Sequence, residues 1–362
     1  MGSLSWAHLR RTQLEEQALG TTTGMSSFAP LHSRFRQKLT ILRQGTRDKS
    51  SSIYASRGFQ MNQQQIPAEF KGRLRKGKDW REVVAWVGDL PPMPHVASRA
   101  LQLLEDPDVS ADDLTALLAT DTALAARVLK IANSAMFCRQ REICTLSQAI
   151  VVIGLKSLKG IIAAATLRQM SKEFTPLKTL IWEHSICTAL CATAIAKSLK
   201  KRFVDEIFLL GLLHSLGQVV LLNQEETSAL YDRVMADIDD MPCTYAVVEE
   251  EILGFSHTLI GALVAKKWNF SLDACQTILH YRDPIDSKPE LEQDQKTAIV
   301  QLADLMVHEL GIGSPPNYPR AQDEIHRIAL LLGIDSKKVT AKLDELTHQI
   351  ARQFENEKRL FE

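Results

Sequence analysis

Apolar and polar positions alternate at helical spacing from Trp80 almost to the end of the chain. Trp80, Val83, Val84 and Val87 recur three and four residues apart, the period that stacks side chains on one helix face. Asp89-Leu-Pro-Pro-Met-Pro94 breaks the pattern, because each proline disfavours α geometry in the residue before it, while Pro94 suits the first turn of the next helix. That helix is predicted to run to about Glu105 and to stop at Asp106-Pro-Asp108. Ser110, with Asp113 three residues on, forms a cap-like start for Leu114, Leu117 and Leu118. Asp121 caps a helix carrying Leu124, Val128, Leu129 and Ile131, which ends at Asn133-Ser134. Thr145 or Ser147 opens another through Ala149, Ile150 and Ile153, closed by Gly154, and Lys156 to Met170 makes one more.

Phe174-Thr-Pro176 separates this half from a second set of longer helices. Their predicted spans are 177–200, 204–223, 226–238, 242–253, 256–268, 271–282, 290–310, 321–332 and 336–356. Gly311 to Pro319, with three prolines, reads as a surface loop that fixes the approach of the last two helices. Strand patterns are nearly absent, and no repeat recurs at a fixed period, which argues against a solenoid. The expected fold class is all-α: a small N-terminal helical lobe over 79–172, a bundle over 173–310, and a loop with C-terminal helices over 311–362.

Composition adds a contrast along the chain. The 43 Lys and Arg balance 43 Asp and Glu, so no net basic field draws nucleic acid or an anionic membrane. Residues 1–60, however, hold nine of those basic residues against three acidic ones. The segment 1–78 is expected to be a basic, disordered leader. A targeting peptide would share this composition, and Met61, ahead of Asn-Gln-Gln-Gln, is a plausible alternative start. The six cysteines contain no C-x-x-C pair and read as reduced thiols of a cytoplasmic protein. Unbroken apolar runs stay below bilayer-spanning length, since Lys156 and Lys159 interrupt the most hydrophobic candidate, and no membrane partner is expected.

Histidines carry the candidate chemistry, because neutral imidazole is the commonest transition-metal ligand. His184, His214, His257 and His280 lie on or beside apolar helices of the second half, and Asp304 sits inside Gln301-Leu-Ala-Asp-Leu-Met. Groups on separate bundle helices can converge on one interior point, though a lone histidine on an apolar face is more often a hydrogen-bonded core residue. Gly211-Leu-Leu-His214-Ser-Leu-Gly217-Gln-Val-Val-Leu resembles the central helix of HD-superfamily phosphohydrolases, with Ser215 where those enzymes have Asp. Upstream, Leu90-Pro-Pro-Met-Pro94, Asp121-Thr-Ala-Leu-Ala, Leu129-Lys-Ile-Ala-Asn133-Ser-Ala and Leu146-Ser-Gln-Ala-Ile150 through Ile153-Gly-Leu155 together resemble the HDOD domain. The likeness continues through Trp182-Glu-His184-Ser, Gly254-Phe-Ser-His257, Gly261, Trp268 and Ile278-Leu-His280-Tyr281, over about residues 80 to 310.

This resemblance implies an HDOD-like, degenerate HD-type bundle acting as a regulatory module in bacterial signal transduction. Such modules work through protein contacts or a small ligand, so signalling proteins are the expected partners and a small nucleotide is a further candidate. In the related enzymes the paired Asp bridges two cations roughly 4 Å apart, so that bound water ionises near neutral pH. A hydroxyl at Ser215 brings no formal charge to that task. Gln218 stands where Lys is often found, Tyr281 replaces a second His after His280, and no Gly-Tyr-Pro triplet follows. Neither a catalytic residue nor a bound cofactor is therefore expected, and the pocket is read as a degenerate set of His184, His214, Ser215, His257, His280, Tyr281 and Asp304. Were an ion held, a single transition-metal ion on His184, His214, His257, His280 and Asp304 is the implied arrangement. The rival reading is a metal-dependent phosphohydrolase of a nucleotide or cyclic dinucleotide using the same ligands.

Other motifs read as structure. Ser215 beside His214 lacks the Gly-x-Ser-x-Gly elbow of a nucleophile, and helix neighbours point about 100° apart. Gly154-Leu-Lys156-Ser-Leu-Lys-Gly160 has neither the strand nor the Gly-Lys-Ser/Thr end of a phosphate loop. Cys187 and Cys191 sit among Ala and Leu as small packing groups. Lys197, Lys200, Lys201 and Arg202 complement a helix C-terminus, and the acidic residues that follow dilute any nucleic-acid face.

Overall fold

The computed structural model describes residues 93–133, 143–170, 175–240 and 243–361, with Val83 and Val87 from the first predicted helix. The leader, Met61 and the rest of that first helix lie outside the described residues. Every regular element among the described residues is an α-helix. The N-terminal lobe holds α1 (His95–Leu103), α2 (Ala111–Leu118), α3 (Thr122–Ala132), α4 (Leu146–Ile153) and α5 (Leu155–Met170). Its boundaries follow from caps: Ser110 and Asp113 form a reciprocal capping box, Asp121 accepts from the Leu124 amide at 3.0 Å, and Thr145 from the Gln148 amide at 3.2 Å. Gly154 ends α4 at φ +78°, a left-handed geometry that glycine adopts without strain. The Asn133 side chain ties both the N–H and the C=O of Ile143, at 2.7 and 2.8 Å, holding the start of α4 against the end of α3.

The bundle begins with α6 (Pro176–Ser198), where Thr175 accepts from the Lys178 amide and Pro176 fills the first turn. From Ile181 to Ala196 nearly every residue of α6 is buried, against α7 (Val204–Leu213), α13 (Glu292–Glu309) and α15 (Val339–Phe361). Burying each large aliphatic side chain here, such as Ile186, Leu190 or Ile195, contributes about 1.5–3 kcal/mol. Around this axis stand α8 (Leu216–Asn223), α9 (Glu225–Asp240), α10 (Tyr245–Ile252), α11 (His257–Lys267), α12 (Leu272–His280) and α14 (Gln322–Leu331). Helices α8 and α11 cross where glycine meets glycine: a Cβ on Gly217 would fall 1.9 Å from the His257 carbonyl oxygen. Buried Lys296 joins α13 to its neighbours by ion pairs of 2.9 Å to Glu206 and 3.0 Å to Asp273.

Three sequence expectations change. The helix predicted over 204–223 divides at His214–Ser215, because His214 turns its ring back onto the Gly211 carbonyl and Ser215 leaves helical geometry (φ −96°, ψ 13°). The loop after Gly311 is not a surface connection, since Gly313, Ser314, Pro315 and Tyr318 are buried and a Cβ on Gly313 would fall 2.3 Å from His184 Cβ. Lastly, Pro176–Ser198 and Val204–Asn223 are long and apolar enough to cross a membrane by length and composition, although polar and charged residues interrupt their apolar runs. Both are mostly packed inside the protein, 83% and 78% buried over their apolar windows.

Candidate functional site

The interior end of α6, the break between α7 and α8, the middle of α13 and the loop after it meet at one carboxylate. Asp304, on α13, is 1% exposed. Its Oδ1 faces three imidazoles: His184 Nε2 at 3.0 Å, His308 Nε2 at 3.3 Å and His214 Nε2 at 3.5 Å. Its other oxygen, Oδ2, accepts from Arg282 Nη1 at 3.1 Å. Each imidazole is oriented from outside. His184 Nδ1 donates to the Ile312 carbonyl at 3.3 Å and His214 Nδ1 to the Gly211 carbonyl at 2.5 Å, while His308 Nδ1 lies 2.5 Å from Ser314 Oγ. A carbonyl can only accept, so Nδ1 of His184 and of His214 carries a proton and Nε2 turns inward.

Charge and burial compete at this point. Burial disfavours ionised Asp304, but the Arg282 guanidinium beside it outweighs that penalty and holds the carboxyl well below its usual range. For His214 burial prevails over the neighbouring carboxylate and lowers its pKa. The same cause, reinforced by His184, takes His308 down to about 3. His308 is stacked between His184 and Tyr318, ring centroids 4.2 and 4.0 Å away. Tyr318 also accepts from Arg282 Nη2, and the guanidinium lies 5.5 Å from the Tyr281 ring centre. The buried loop thus supplies Ile312, Ser314 and Tyr318 to the same network.

A second network forms around Glu249, which is fully buried on α10. Its Oε2 accepts from the His257 backbone N–H at 2.7 Å and lies 2.6 Å from His257 Nδ1, while Oε1 accepts from Tyr231. Burial pushes the Glu249 pKa up, yet His257 and these hydrogen bonds bring it below the ordinary value. His257 Nε2 is 2.7 Å from the Tyr281 hydroxyl, and the Tyr281 ring stands edge-on to His214 at 5.1 Å. Tyr281 therefore touches both networks without merging them.

Of the expected site residues, His184, His214 and Asp304 come together. His257 belongs to the Glu249 network, with Tyr281 between the two. His280 stands apart: its side chain is one-third exposed and its Nδ1 pairs with Asp283 at 2.8 Å, because the helix turn that buries Tyr281 points its neighbour outward. Ser215 is buried but faces Ser185, with 2.5 Å between the hydroxyl oxygens. Arg282, His308, Glu249 and Tyr318 were not anticipated. Cys187 and Cys191 are buried and their pKa values are raised, that of Cys191 to about 12, by burial alone in the latter case, so both remain thiols.

A dinuclear metal centre does not fit these residues. The hydroxyl at 215 is uncharged and engaged with Ser185, Glu249 is enclosed by His257 and Tyr231, and Asp304 alone would have to offset two cations. The ligand atoms of His184, His214 and Asp304 do lie within 4.8 Å of one another, close enough to surround one transition-metal ion. Arg282, however, already neutralises that single carboxylate.

Comparison with known proteins places this geometry in context. The HDOD domain family matches residues 90–284. A solved HDOD domain protein of unknown function from Geobacter sulfurreducens is 26% identical, covering 75% of this chain and 96% of its own, with a TM-score of 0.62. A candidate phosphohydrolase from Shewanella amazonensis, 23% identical over 75% of this chain and 97% of its own with a TM-score of 0.57, shares the fold. A Treponema pallidum protein is 25% identical over 222 residues, 60% of this chain; the match spans 43% of that relative's length.

Proposed function

This chain belongs to the HDOD domain family, and we propose that it works as a non-catalytic regulatory module in signal transduction, through protein contacts or a small bound ligand. The observation that carries this reading is the state of Asp304: one oxygen faces three imidazoles, the other is held by Arg282, and the residue is 1% exposed. A hydrolytic centre of the HD type needs an accessible pair of cations and a nucleophilic water, and here the one central carboxylate is neutralised and enclosed by the chain itself. The buried polar groups then act as a degenerate site that fixes the packing of α6, α7, α13 and the loop. Signalling proteins are the partner class, with a nucleotide-like ligand the second candidate. A cytoplasmic setting agrees with the buried free thiols of Cys187, Cys191 and Cys275.

Donor atoms of His184, His214 and Asp304 within 4.8 Å of one another favour the rival reading, a metal-dependent phosphohydrolase. One experiment separates the two. The full chain is assayed in excess manganese against cyclic dinucleotides, nucleotides and an activated phosphodiester, beside His214→Ala. The regulatory reading expects the same background rate from both proteins. Turnover that depends on His214 would establish the hydrolase. Crosslinking and affinity capture from the native cell, quantified against the same cells lacking the protein, then identify the signalling partner.

A further inference from the structure

We infer that Arg282 is the resident cation of the Asp304 site, and that its guanidinium keeps a divalent transition-metal ion out of an otherwise assembled donor set of His184, His214 and Asp304. The inference rests on the non-catalytic reading above and gives that reading a cause.

The donors are already arranged for an ion. Nδ1 of His184 and of His214 is fixed as a donor by the carbonyls of Ile312 and Gly211, which leaves both Nε2 atoms facing Asp304 Oδ1. Outer acceptors hold metal-binding histidines in the same manner. Where such a ring is neutral, a lone pair meets an ionised oxygen, an arrangement that a cation between them would satisfy.

Charge decides whether the cation can enter. Asp304 and Arg282 sum to zero, so a divalent ion added beside Arg282 would leave two uncompensated positive charges among side chains that are 1% to 3% exposed. Replace the guanidinium by a neutral group and the same ion leaves one, a smaller excess than zinc carries on three neutral imidazoles before its water ionises. Nor is Arg282 a side chain passing by on the surface. Asp304 holds Nη1 at 3.1 Å, Tyr318 holds Nη2, the Tyr281 ring lies beneath at 5.5 Å, and only 14% of the side chain is exposed. Tyr318 comes from the buried loop, so the loop that closes the site also anchors its counter-ion.

Cobalt(II) and zinc titrations of the full chain test the inference, using wild type, Arg282→Met, Arg282→Gln, Arg282→Lys and the double variant Arg282→Met/His214→Ala. Circular dichroism and thermal melting first establish which variants are folded; Gln offers a second neutral replacement if Met does not fold. A folded neutral variant is expected to bind about one equivalent of cobalt(II) with the visible absorption of a four-coordinate site. Its affinity should exceed that of wild type by at least about tenfold. Arg282→Lys should stay like wild type, and the double variant should lose the spectrum. Binding by wild type as tight as that of the neutral variants overturns the inference, as does a folded neutral variant no tighter than wild type. Equal gain in Arg282→Lys also overturns it, because loosening rather than charge would then be the cause. Failure here with no turnover by wild type sinks this inference alone, whereas His214-dependent turnover sinks the functional reading beneath it.

Discussion

If Arg282 and Asp304 neutralise each other, removing both charges should cost much less than the sum of removing each alone. Asp304→Asn keeps the shape of the side chain but leaves a guanidinium facing an amide. Loss of one member of a buried pair typically costs about 3–5 kcal/mol, because the survivor stays charged away from water. Arg282 is 14% exposed and can partly reach solvent, so the lower end, about 3 kcal/mol, applies to Asp304→Asn. Asp304 has no such escape at 1% exposure, so Arg282→Met belongs near the upper end, about 5 kcal/mol. The double variant strands no charge and is left with imperfectly paired polar groups, a cost of about 1–3 kcal/mol. Urea unfolding followed by far-ultraviolet circular dichroism at neutral pH, without added metal, measures all four corners of the cycle. Expected is a double variant more stable than Arg282→Met alone, with a coupling of at least about 3 kcal/mol. Additivity within about 0.5 kcal/mol would refute the pairing as the organising interaction of the site.

Other consequences are simpler to measure. Gly217→Ala forces a methyl against the His257 carbonyl oxygen, 1.9 Å away with the backbone as it stands, and should destabilise by about 3 kcal/mol or more; a thermal melt within about 1 kcal/mol of wild type would contradict the close crossing of α8 and α11. Gly154→Ala meets nothing within 4 Å, so its cost in the same melt, about 1–3 kcal/mol, should come from the backbone alone, because φ +78° with ψ 154° is open essentially only to glycine. Glu249→Gln opposes an amide to groups now serving one carboxylate and should cost about 3 kcal/mol in the same unfolding assay, with less than about 1 kcal/mol arguing against a charged Glu249. Stability should also fall on acidification from two sources. The depressed pKa values of His214 and His308 mean that the unfolded chain binds protons first, so their contribution is complete above pH 6.5 and is lost as pH falls below it, with a slope approaching about 1.4 kcal/mol per pH unit for each histidine. Asp304 and Glu249, also depressed, contribute fully above the ordinary carboxylate range and lose that contribution as pH falls through their lowered values. A urea midpoint that stays flat from about pH 7 to pH 5 would contradict the neutral, buried histidines.

Helical architecture was legible because its signals are local. The capping box at Ser110 and Asp113, the Asp121 cap and the proline at the start of α6 all act within a turn of the helix they begin. His184, His214 and Asp304 were legible through the order of motifs, which stands in for a spatial convergence that spacing alone does not define. The remaining site residues were hidden for different reasons. Arg282 follows a helix end, where a basic residue ordinarily reads as a solvated cap, and only the tertiary placement of Asp304 and Tyr318 draws it inward. His308 had a usable signal, since it lies one helical turn beyond Asp304 and shares its face. Glu249 looks solvated within Glu249-Glu-Glu251, yet Tyr245 and Val248 mark the buried face of α10, and position 249 is one turn from Tyr245 on that face. Glycine and proline suggested an exposed loop after Gly311, whereas Gly313 is the residue that lets the loop approach α6 at His184. His280 and Tyr281 show how a one-residue shift at a helix end exchanges the inward and outward side chains.

The most direct measurement is a crystal structure of the full chain grown in excess manganese, with anomalous difference density used to locate ions. Expected is Arg282 on Asp304 Oδ2, Ser215 against Ser185, and no ion among His184, His214 and Asp304. Two peaks roughly 4 Å apart bridged at that position, with Arg282 displaced, would contradict the account.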